Sequence, residues 1–522
     1  MSKTLSMNTQ KKLQIFLKLL FFILLSVIVL IYCHKLYYIL CNIGPNGTSY
    51  QFELREGVCL EMAKLFAEGI NPYDYAEGTS YPAYMYGWVL PFLLSLFYRF
   101  GIVHVSVWAE IFMLIIEIIG CIFFYKLLSE IYGINHVVAL FGVLYFTTVY
   151  WRYTSFAGLM PDALGITALV FLMYLTLKDE KKGKFRPFLY AIFYVLLFHL
   201  KVYFATLALG HLIYLKMKAG WKISITYAIQ GIVVGLASIV LVRLLFPTYF
   251  TINMYLLTIC NVYSFANFFW QFIILGKYYF PLYIAYLLVL YRCFRRKALI
   301  SYEIIMALVS FVFLIVLGQS NGATYTYFLQ LWMPFLIVSF ARLCDEYWEI
   351  LCVKKFGLFV IIVCMFLFML LPFEFSFSSP QKWKEEREVK GEVYEILDKF
   401  EDPSKMKISP YSLVFYCVER NIVHDEYGHS NAYNKELLRI VKSSNTSELV
   451  FPYGEQLIEE YLDYLSASDE LVSKGYYDVV VINESEKEKY MDSLVDGGYK
   501  LWAEYNYNCG VFPQDILIYY RE

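Results

Sequence analysis

An acidic residue, Glu56, begins an amphipathic helical segment shortly after the first long apolar stretch of the chain. Gly69 and Pro72 end this segment. A carboxylate at a helix N-terminus and at a membrane surface can stay ionised while it faces a lipid-borne molecule, which suits a general base for a hydroxyl group. The alternative role of Glu56 is electrostatic stabilisation of the helix start. Glu53 and Glu61 are neighbouring carboxylates that could also act as the base.

A second carboxylate, Asp162, follows Pro161 in the first turn of another apolar helical segment. It can simply cap the helix, or it can bind an acceptor or orient a donor phosphate through a cation. Lys201 lies at the turn between two short apolar helices, at a depth where a charged side chain is costly and is a functional candidate. Its ammonium would stabilise negative charge on a phosphate leaving group, whereas extension to the membrane surface is the alternative.

Further polar and aromatic residues lie between the apolar segments. Residues 318–334 are rich in amide and tyrosine side chains, which suit a sugar or a headgroup, although an aromatic belt at the membrane surface has the same composition. The 11 cysteines show no metal-ligand spacing, so no metal site is predicted. The candidate substrate-binding residues are Arg55, Tyr73, Tyr86, Lys201, Lys277, Asn321 and Tyr325.

A membrane must position these residues, because 59% of the 522 residues are apolar and 20% are aromatic. Apolar runs long enough to cross a bilayer recur along the first 375 residues. The net charge of −1 gives no indication of a nucleic-acid partner. About eleven spanning helices are predicted near residues 13–34, 104–126, 135–151, 160–177, 186–200, 202–217, 222–246, 278–294, 301–318, 325–342 and 355–373.

The basic residues orient these helices in the membrane. If the N-terminus is cytoplasmic and residues 83–100 do not cross, every basic cluster between helices falls on the cytoplasmic side. Residues 83–100 are therefore predicted to lie in the outer interface. An odd number of crossings places residues 376–522 outside the cell. DVVVIN at 478–483 is predicted to be a buried strand, and DILIYY at 515–520 is also strand-like. The alternation of helix-like and strand-like segments there predicts a small extracytoplasmic α/β domain after a membrane domain of residues 1–375.

The order of these features resembles the GT-C superfamily, membrane glycosyltransferases that use polyprenyl-phosphate sugars and include aminoarabinose and protein mannosyl transferases. An acidic residue after the first helix is followed by an element from Ala63 to Tyr73 and a tyrosine-rich segment that ends at Phe100. A Pro-Asp-x-Leu element at 161–164 comes next. The resemblance implies a polytopic α-helical fold with juxtamembrane helices in the first outer loop.

By this resemblance, Glu56 is the catalytic base and Asp162 helps to form the acceptor or catalytic cleft. The implied activity is inverting transfer of a sugar from a polyprenyl-phosphate donor to a glycan, lipid or protein acceptor, outside the bacterial cytoplasmic membrane. No ligand set demands a metal, although a divalent cation could assist. The alternatives are a multi-pass transporter or flippase of lipid-linked saccharides, which should contain internal repeats, and an inactive scaffold for wall assembly.

Overall fold

The structure is a computed structural model, and it describes residues 7–41, 43, 54–74, 86–150, 159–259, 263–296, 301–319, 331–354, 380–410, 413–422, 435–443, 450–507 and 514–521. Most of these residues are helical. The N-terminal helices are Met7–Cys41 (α1), Leu54–Glu68 (α2), Val89–Arg99 (α3), Val105–Lys126 (α4), His136–Val149 (α5), Pro161–Lys182 (α6), Pro187–Leu200 (α7), Leu207–Leu245 (α8), Phe265–Arg296 (α9), Tyr302–Leu317 (α10) and Met333–Lys354 (α11).

Among the described residues, four helical stretches are long and apolar enough to cross a bilayer. They are Ile15–Cys41, Val105–Ile131, Pro161–Lys182 and Val202–Leu245. The last stretch turns back on itself at Gly220, whose φ of 82° lies in the left-handed region that glycine adopts without strain. The hydroxyl of Ser224 donates to the carbonyl oxygen of Leu212 at 3.1 Å, and that of Tyr227 donates to the carbonyl oxygen of Ala208 at 3.5 Å. The two halves of α8 are therefore antiparallel neighbours, as the separate predictions for 202–217 and 222–246 require. The total of eleven spans stays a prediction, because the segment 355–373 lies outside the described residues.

The two helices expected in the first outer loop are present as α2 and α3, which pack against each other. α3 has 11 residues, too few to cross a bilayer of about 30 Å. The guanidinium of Arg99, in the last turn of α3, donates a hydrogen bond to the carbonyl oxygen of Phe66 on α2 at 2.8 Å. The pair thus forms one unit between α1 and α4.

A buried ion pair joins α1 to α4. Lys35 and Glu117 form this pair with exposed fractions of 0% and 2%. The hydroxyl of Thr167 on α6 donates to the carbonyl oxygen of Ile116 at 3.1 Å, so α6 packs at the same level. Buried charges persist in an apolar environment only when they are paired. The pair therefore fixes how α1 sits against the other helices.

Replacing Glu117 with glutamine should destabilise the protein strongly, because the Lys35 ammonium would lose its counter-charge in a buried site. We expect the free energy of unfolding to fall by about 3–5 kcal/mol. Thermal unfolding in detergent measures the change. The double variant Lys35→Met/Glu117→Leu, which removes both charges, should recover most of the loss. An unchanged melting temperature for Glu117→Gln would mean that the pair contributes no stability.

The sheet-containing part of the chain follows residue 379. Its strands are Met406–Ile408 (β1), Val479–Asn483 (β2), Lys500–Tyr507 (β3) and Gln514–Tyr520 (β4), in the order β1-β2-β4-β3. β1 and β2 are parallel, and the other pairs are antiparallel. Its helices are Pro380–Leu397 (α12), Val414–Arg420 (α13), Lys435–Ser443 (α14), Gly454–Ser473 (α15) and Lys487–Asp496 (α16).

Helices cover both faces of this sheet. All five residues of β2 are buried, as the continuous apolar run VVVIN predicts for a strand covered on both sides. One face packs on α12 and α13, and the other packs on α15 and α16. The predicted strands near 478–483 and 515–520 are confirmed, whereas β1 and β3 were not predicted. The predicted domain boundary at residue 375 lies outside the described residues.

The α/β part docks on the helix that carries Glu56. The ammonium of Lys64 on α2 donates to the carbonyl oxygen of Val418 at 2.9 Å and to the side-chain oxygen of Asn421. The hydroxyl of Ser106, at the start of α4, donates to the carboxylate of Glu419 at 3.1 Å. α13 and Asn421, the residue that follows it, thus contact α2 and α4 from one side.

A second contact joins the α/β part to the segment that follows α8. The Thr251 hydroxyl donates to the carbonyl oxygen of Pro452 at 2.8 Å, and the rings of Tyr255 and Phe451 stack with centroids 4.9 Å apart. The α/β part therefore lies at the same end of the helices as α2 and the starts of α4 and α6. That this end is the extracytoplasmic one stays a prediction.

Candidate active site

The two charged residues singled out separately in the sequence form a buried ion pair. Asp162 lies in the first turn of α6, and Lys201 is the extended residue that follows α7. The Lys201 ammonium lies 2.9 and 2.7 Å from the two carboxylate oxygens of Asp162. Their exposed fractions are 9% and 5%. A cation shared by both oxygens of a carboxylate forms a strong, directed interaction.

Two tyrosines complete the surroundings of this pair. The Tyr203 hydroxyl donates to Asp162, and its ring centroid lies 4.9 Å from the Lys201 nitrogen. The ring of Tyr86, a predicted binding residue, has its centroid 4.2 Å from the same nitrogen. Both distances are within the range of cation–π attraction. We call Tyr86, Asp162, Lys201 and Tyr203 the Lys201 group.

A glycine brings Tyr86 to this position. The amide of Gly87 donates to the carbonyl oxygen of Leu200 at 3.0 Å, and a Cβ added to Gly87 would lie 1.5 Å from the carbonyl oxygen of His199. Only glycine allows the backbone of the first loop to touch the end of α7 this closely. His199 is itself buried, with Nε2 at 3.1 Å from the Ser238 hydroxyl on α8.

Tyr73 lies in an aromatic cluster that joins the first loop to the end of α8. Its side chain is fully buried, and burial raises the pKa of its hydroxyl well above the usual value, so the hydroxyl stays protonated. Thr248 donates to the Tyr73 carbonyl oxygen from its amide at 3.1 Å and from its hydroxyl at 2.9 Å. The rings that contact Tyr73 belong to Phe66, Phe246 and Tyr249. Substrate binding by Tyr73 stays a prediction.

The remaining candidates are positioned only in part. Arg55 and Glu56 lie in the first turn of α2, and Lys277 lies within α9, but their side chains lie outside the described residues. Asn321 and Tyr325 lie outside them entirely. Among the residues that are described, no group of three or more His, Cys, Asp or Glu side chains could hold a metal ion.

No known family profile matches the sequence, and no curated protein matches it. Structural similarity is found to ArnT from Cupriavidus metallidurans bound to undecaprenyl phosphate. The TM-score is 0.57 at 10% identity, over 95% of this chain and 97% of that one. The chain has the GT-C fold. The resemblance inferred from the sequence is thereby confirmed at the level of the fold.

The oligosaccharyltransferase of Archaeoglobus fulgidus in its apo form also matches, with a TM-score of 0.47 and 12% identity over 94% of this chain and 74% of that one. Similarity at this level supports no further conclusion about the chain.

Within this GT-C fold, the Lys201 group holds an ammonium, paired with the Asp162 carboxylate, at the N-terminal end of α6. A preorganised cation in a water-poor site stabilises an anion that approaches it far better than a hydrated surface lysine does. The group therefore suits binding of a phosphate oxygen. Tyr203 and Gly87 were not predicted. A tyrosine two residues after the lysine, in FHLKVYF, was the available signal for Tyr203.

Proposed function

We propose that the protein transfers a sugar from a polyprenyl-phosphate donor to an envelope acceptor at the extracytoplasmic membrane surface. The observation that carries this proposal is the buried Lys201 group at the membrane entrance of α6. It offers a cation for a phosphate leaving group, and α2 carries a carboxylate, Glu56, at the same end of the helices. ArnT, which shares the fold, was solved with undecaprenyl phosphate.

The proposed reaction is an inverting displacement at the anomeric carbon. The acceptor oxygen forms the new bond while the bond between that carbon and the phosphate oxygen breaks, and the electron pair of the broken bond leaves with the lipid phosphate. Glu56 takes the acceptor proton, and Lys201 stabilises the negative charge on the departing phosphate. Asp162 and Tyr203 hold Lys201 in place. A phosphate is a good leaving group, so this scheme needs no separate general acid.

An apolar cavity lined in part by Ala205, two residues after Tyr203 of the Lys201 group, supports a lipid-linked donor. It has a volume of about 410 Å³ and lies between α7 and the two halves of α8. Alanine and glycine residues, including Ala208, Gly231 and Gly235, leave the space open. Ser238, which bonds to His199, lines the cavity, and Lys201 follows His199 by two residues. A phosphate at Lys201 could therefore extend its hydrocarbon chain into this cavity.

Lys201→Met should weaken binding of undecaprenyl phosphate at least about tenfold, because a hydrogen bond to a charged group contributes roughly 1.5–3 kcal/mol. Native mass spectrometry of the purified protein in detergent measures the affinity. The matched control is Arg186→Met, which breaks a similar Arg186–Asp179 ion pair at the other end of α6. Equal affinities of the two variants would contradict the role of Lys201.

The alternative function, a transporter or flippase of lipid-linked saccharides, differs in one measurable respect. A flippase leaves the sugar–phosphate bond intact, whereas a transferase breaks it. Release of the free lipid phosphate from labelled polyprenyl-phosphate sugars, with mass spectrometry of envelope glycans from cells with and without the protein, separates the two functions and identifies the sugar and the acceptor.

A further inference from the structure

A cavity with mixed chemistry lies at the end of α1 remote from the Lys201 group. Its volume is about 570 Å³, and it opens between α1, the end of α4 and the start of α5. Lys18 lines it, about 25 Å along α1 from Lys35 at ~1.5 Å per residue. The Lys35 pair packs at the level of α6 near Asp162, so this cavity and the candidate active site lie near opposite surfaces of a bilayer about 30 Å thick.

The polar side of this cavity presents a cation and hydrogen-bond donors. Lys18 is exposed, and it forms no ion pair with any carboxylate that the structure describes. The ring of His136 stacks on Tyr125, whose hydroxyl lies 2.9 Å from Nδ1. If that hydroxyl donates to Nδ1, Nε2 carries the ring hydrogen and is a donor. The nearby Asp345 carboxylate accepts a hydrogen bond from the backbone amide of Asn135 at 2.8 Å.

The other side of the cavity is apolar and continues onto the outer surface of α1. Leu17, Phe21 and Phe22 line it, and Phe22 is 61% exposed. The neighbouring Leu19 is 58% exposed, and only 22% of the apolar stretch of α1 is buried inside the protein. In a spanning helix such exposed side chains face hydrocarbon. A small soluble anion would use the polar side alone, whereas an amphiphile would use both.

We propose that this cavity binds an anionic phospholipid, with its phosphate between Lys18 and His136 and an acyl chain along Phe21 and Phe22. A lysine beside hydrocarbon is placed to pair with a headgroup phosphate at the membrane surface. In the predicted topology this surface is the cytoplasmic one. The site is separate from the proposed transfer reaction and does not depend on it.

Native mass spectrometry with phosphatidylglycerol, phosphatidylcholine and inorganic phosphate tests this site. We expect phosphatidylglycerol to be retained in preference to phosphatidylcholine, and Lys18→Gln to lower its affinity about fivefold, since one lysine near an anionic surface contributes roughly 1 kcal/mol. His136→Gln should lower it as well. Lys222→Gln, an exposed lysine on α8 outside the cavity, is the matched control and should leave the affinity unchanged.

A second variant separates a lipid from a free phosphate as the occupant. Phe22→Ala should weaken the binding of phosphatidylglycerol and leave the binding of inorganic phosphate unchanged, because only the lipid contacts the apolar side. The proposal is overturned if Lys18→Gln behaves like Lys222→Gln, if the two lipids bind equally, or if inorganic phosphate displaces phosphatidylglycerol. Lys18 is exposed, so its replacement should leave the melting temperature unchanged, and this measurement excludes a folding defect.

Discussion

Replacing Asp162 with asparagine is expected to lower sugar transfer by about a hundredfold or more. Asparagine keeps the shape of the side chain but leaves the buried Lys201 ammonium without a counter-charge. Removing one partner of a buried ion pair costs about 3–5 kcal/mol. The lysine either loses its proton or moves toward water, and in both cases the cation that stabilises the leaving phosphate is lost. Steady-state transfer from a polyprenyl-phosphate sugar measures the effect.

The same helix provides the control for this variant. The carboxylate of Asp179, near the other end of α6, accepts hydrogen bonds from Arg186 at 2.8 and 2.9 Å and from the Tyr190 hydroxyl at 2.6 Å. It therefore repeats the carboxylate, cation and tyrosine of the Lys201 group. Asp179→Asn should lower the melting temperature but leave the turnover number within about threefold of the wild type, since it lies remote from the proposed reaction.

A double variant distinguishes catalysis from structural support. Lys201→Met/Asp162→Leu removes both charges and should recover much of the stability that Asp162→Asn loses. If the ion pair only supports the fold, this double variant will also recover transfer. If Lys201 stabilises the phosphate, transfer will stay low while the protein melts near the wild-type temperature.

Local sequence patterns predicted those helices and strands whose formation depends mainly on neighbouring residues in the chain. The first helix of the loop and the strand VVVIN could be predicted because apolar periodicity and length suffice for them, whereas the helix within 83–100 was predicted from the positions of the basic residues. β1 is only three residues long and pairs in parallel with β2, far along the chain. A strand this short has no periodicity of its own, so its pairing partner defines it.

The candidate site was predicted in pieces. Asp162 and Lys201 could each be found because a charge beside an apolar helix is conspicuous. Their pairing could not be predicted, since it joins the start of α6 to the residue that follows α7 and depends on how these two helices pack. The role of Gly87 likewise depends on the carbonyl oxygen of His199, which local sequence does not reveal. The buried Lys35–Glu117 pair was missed for the same reason.

Glu56 was predicted from sequence alone, and the structure adds how its helix is held. α2 packs on α3, and Lys64 ties it to the carbonyl oxygen of Val418 and to Asn421 in the α/β part. Arg99 bonds to the last turns of the same helix. These contacts hold the C-terminal half of α2. A general base requires a fixed support, because proton transfer depends on the hydrogen-bond distance to the acceptor.

Glu56→Gln is expected to lower the turnover number by about 10²–10⁴-fold while leaving undecaprenyl phosphate binding unchanged. Glutamine has the same size but accepts no proton at neutral pH, so only the rate of the chemical step should fall. Glu61→Gln is the matched control on the same helix, because Glu61 was the alternative base within α2. If Glu61→Gln abolishes transfer and Glu56→Gln does not, the two roles are reversed. If both variants transfer sugar at the wild-type rate, neither carboxylate is the base, and the proton must be taken by another group.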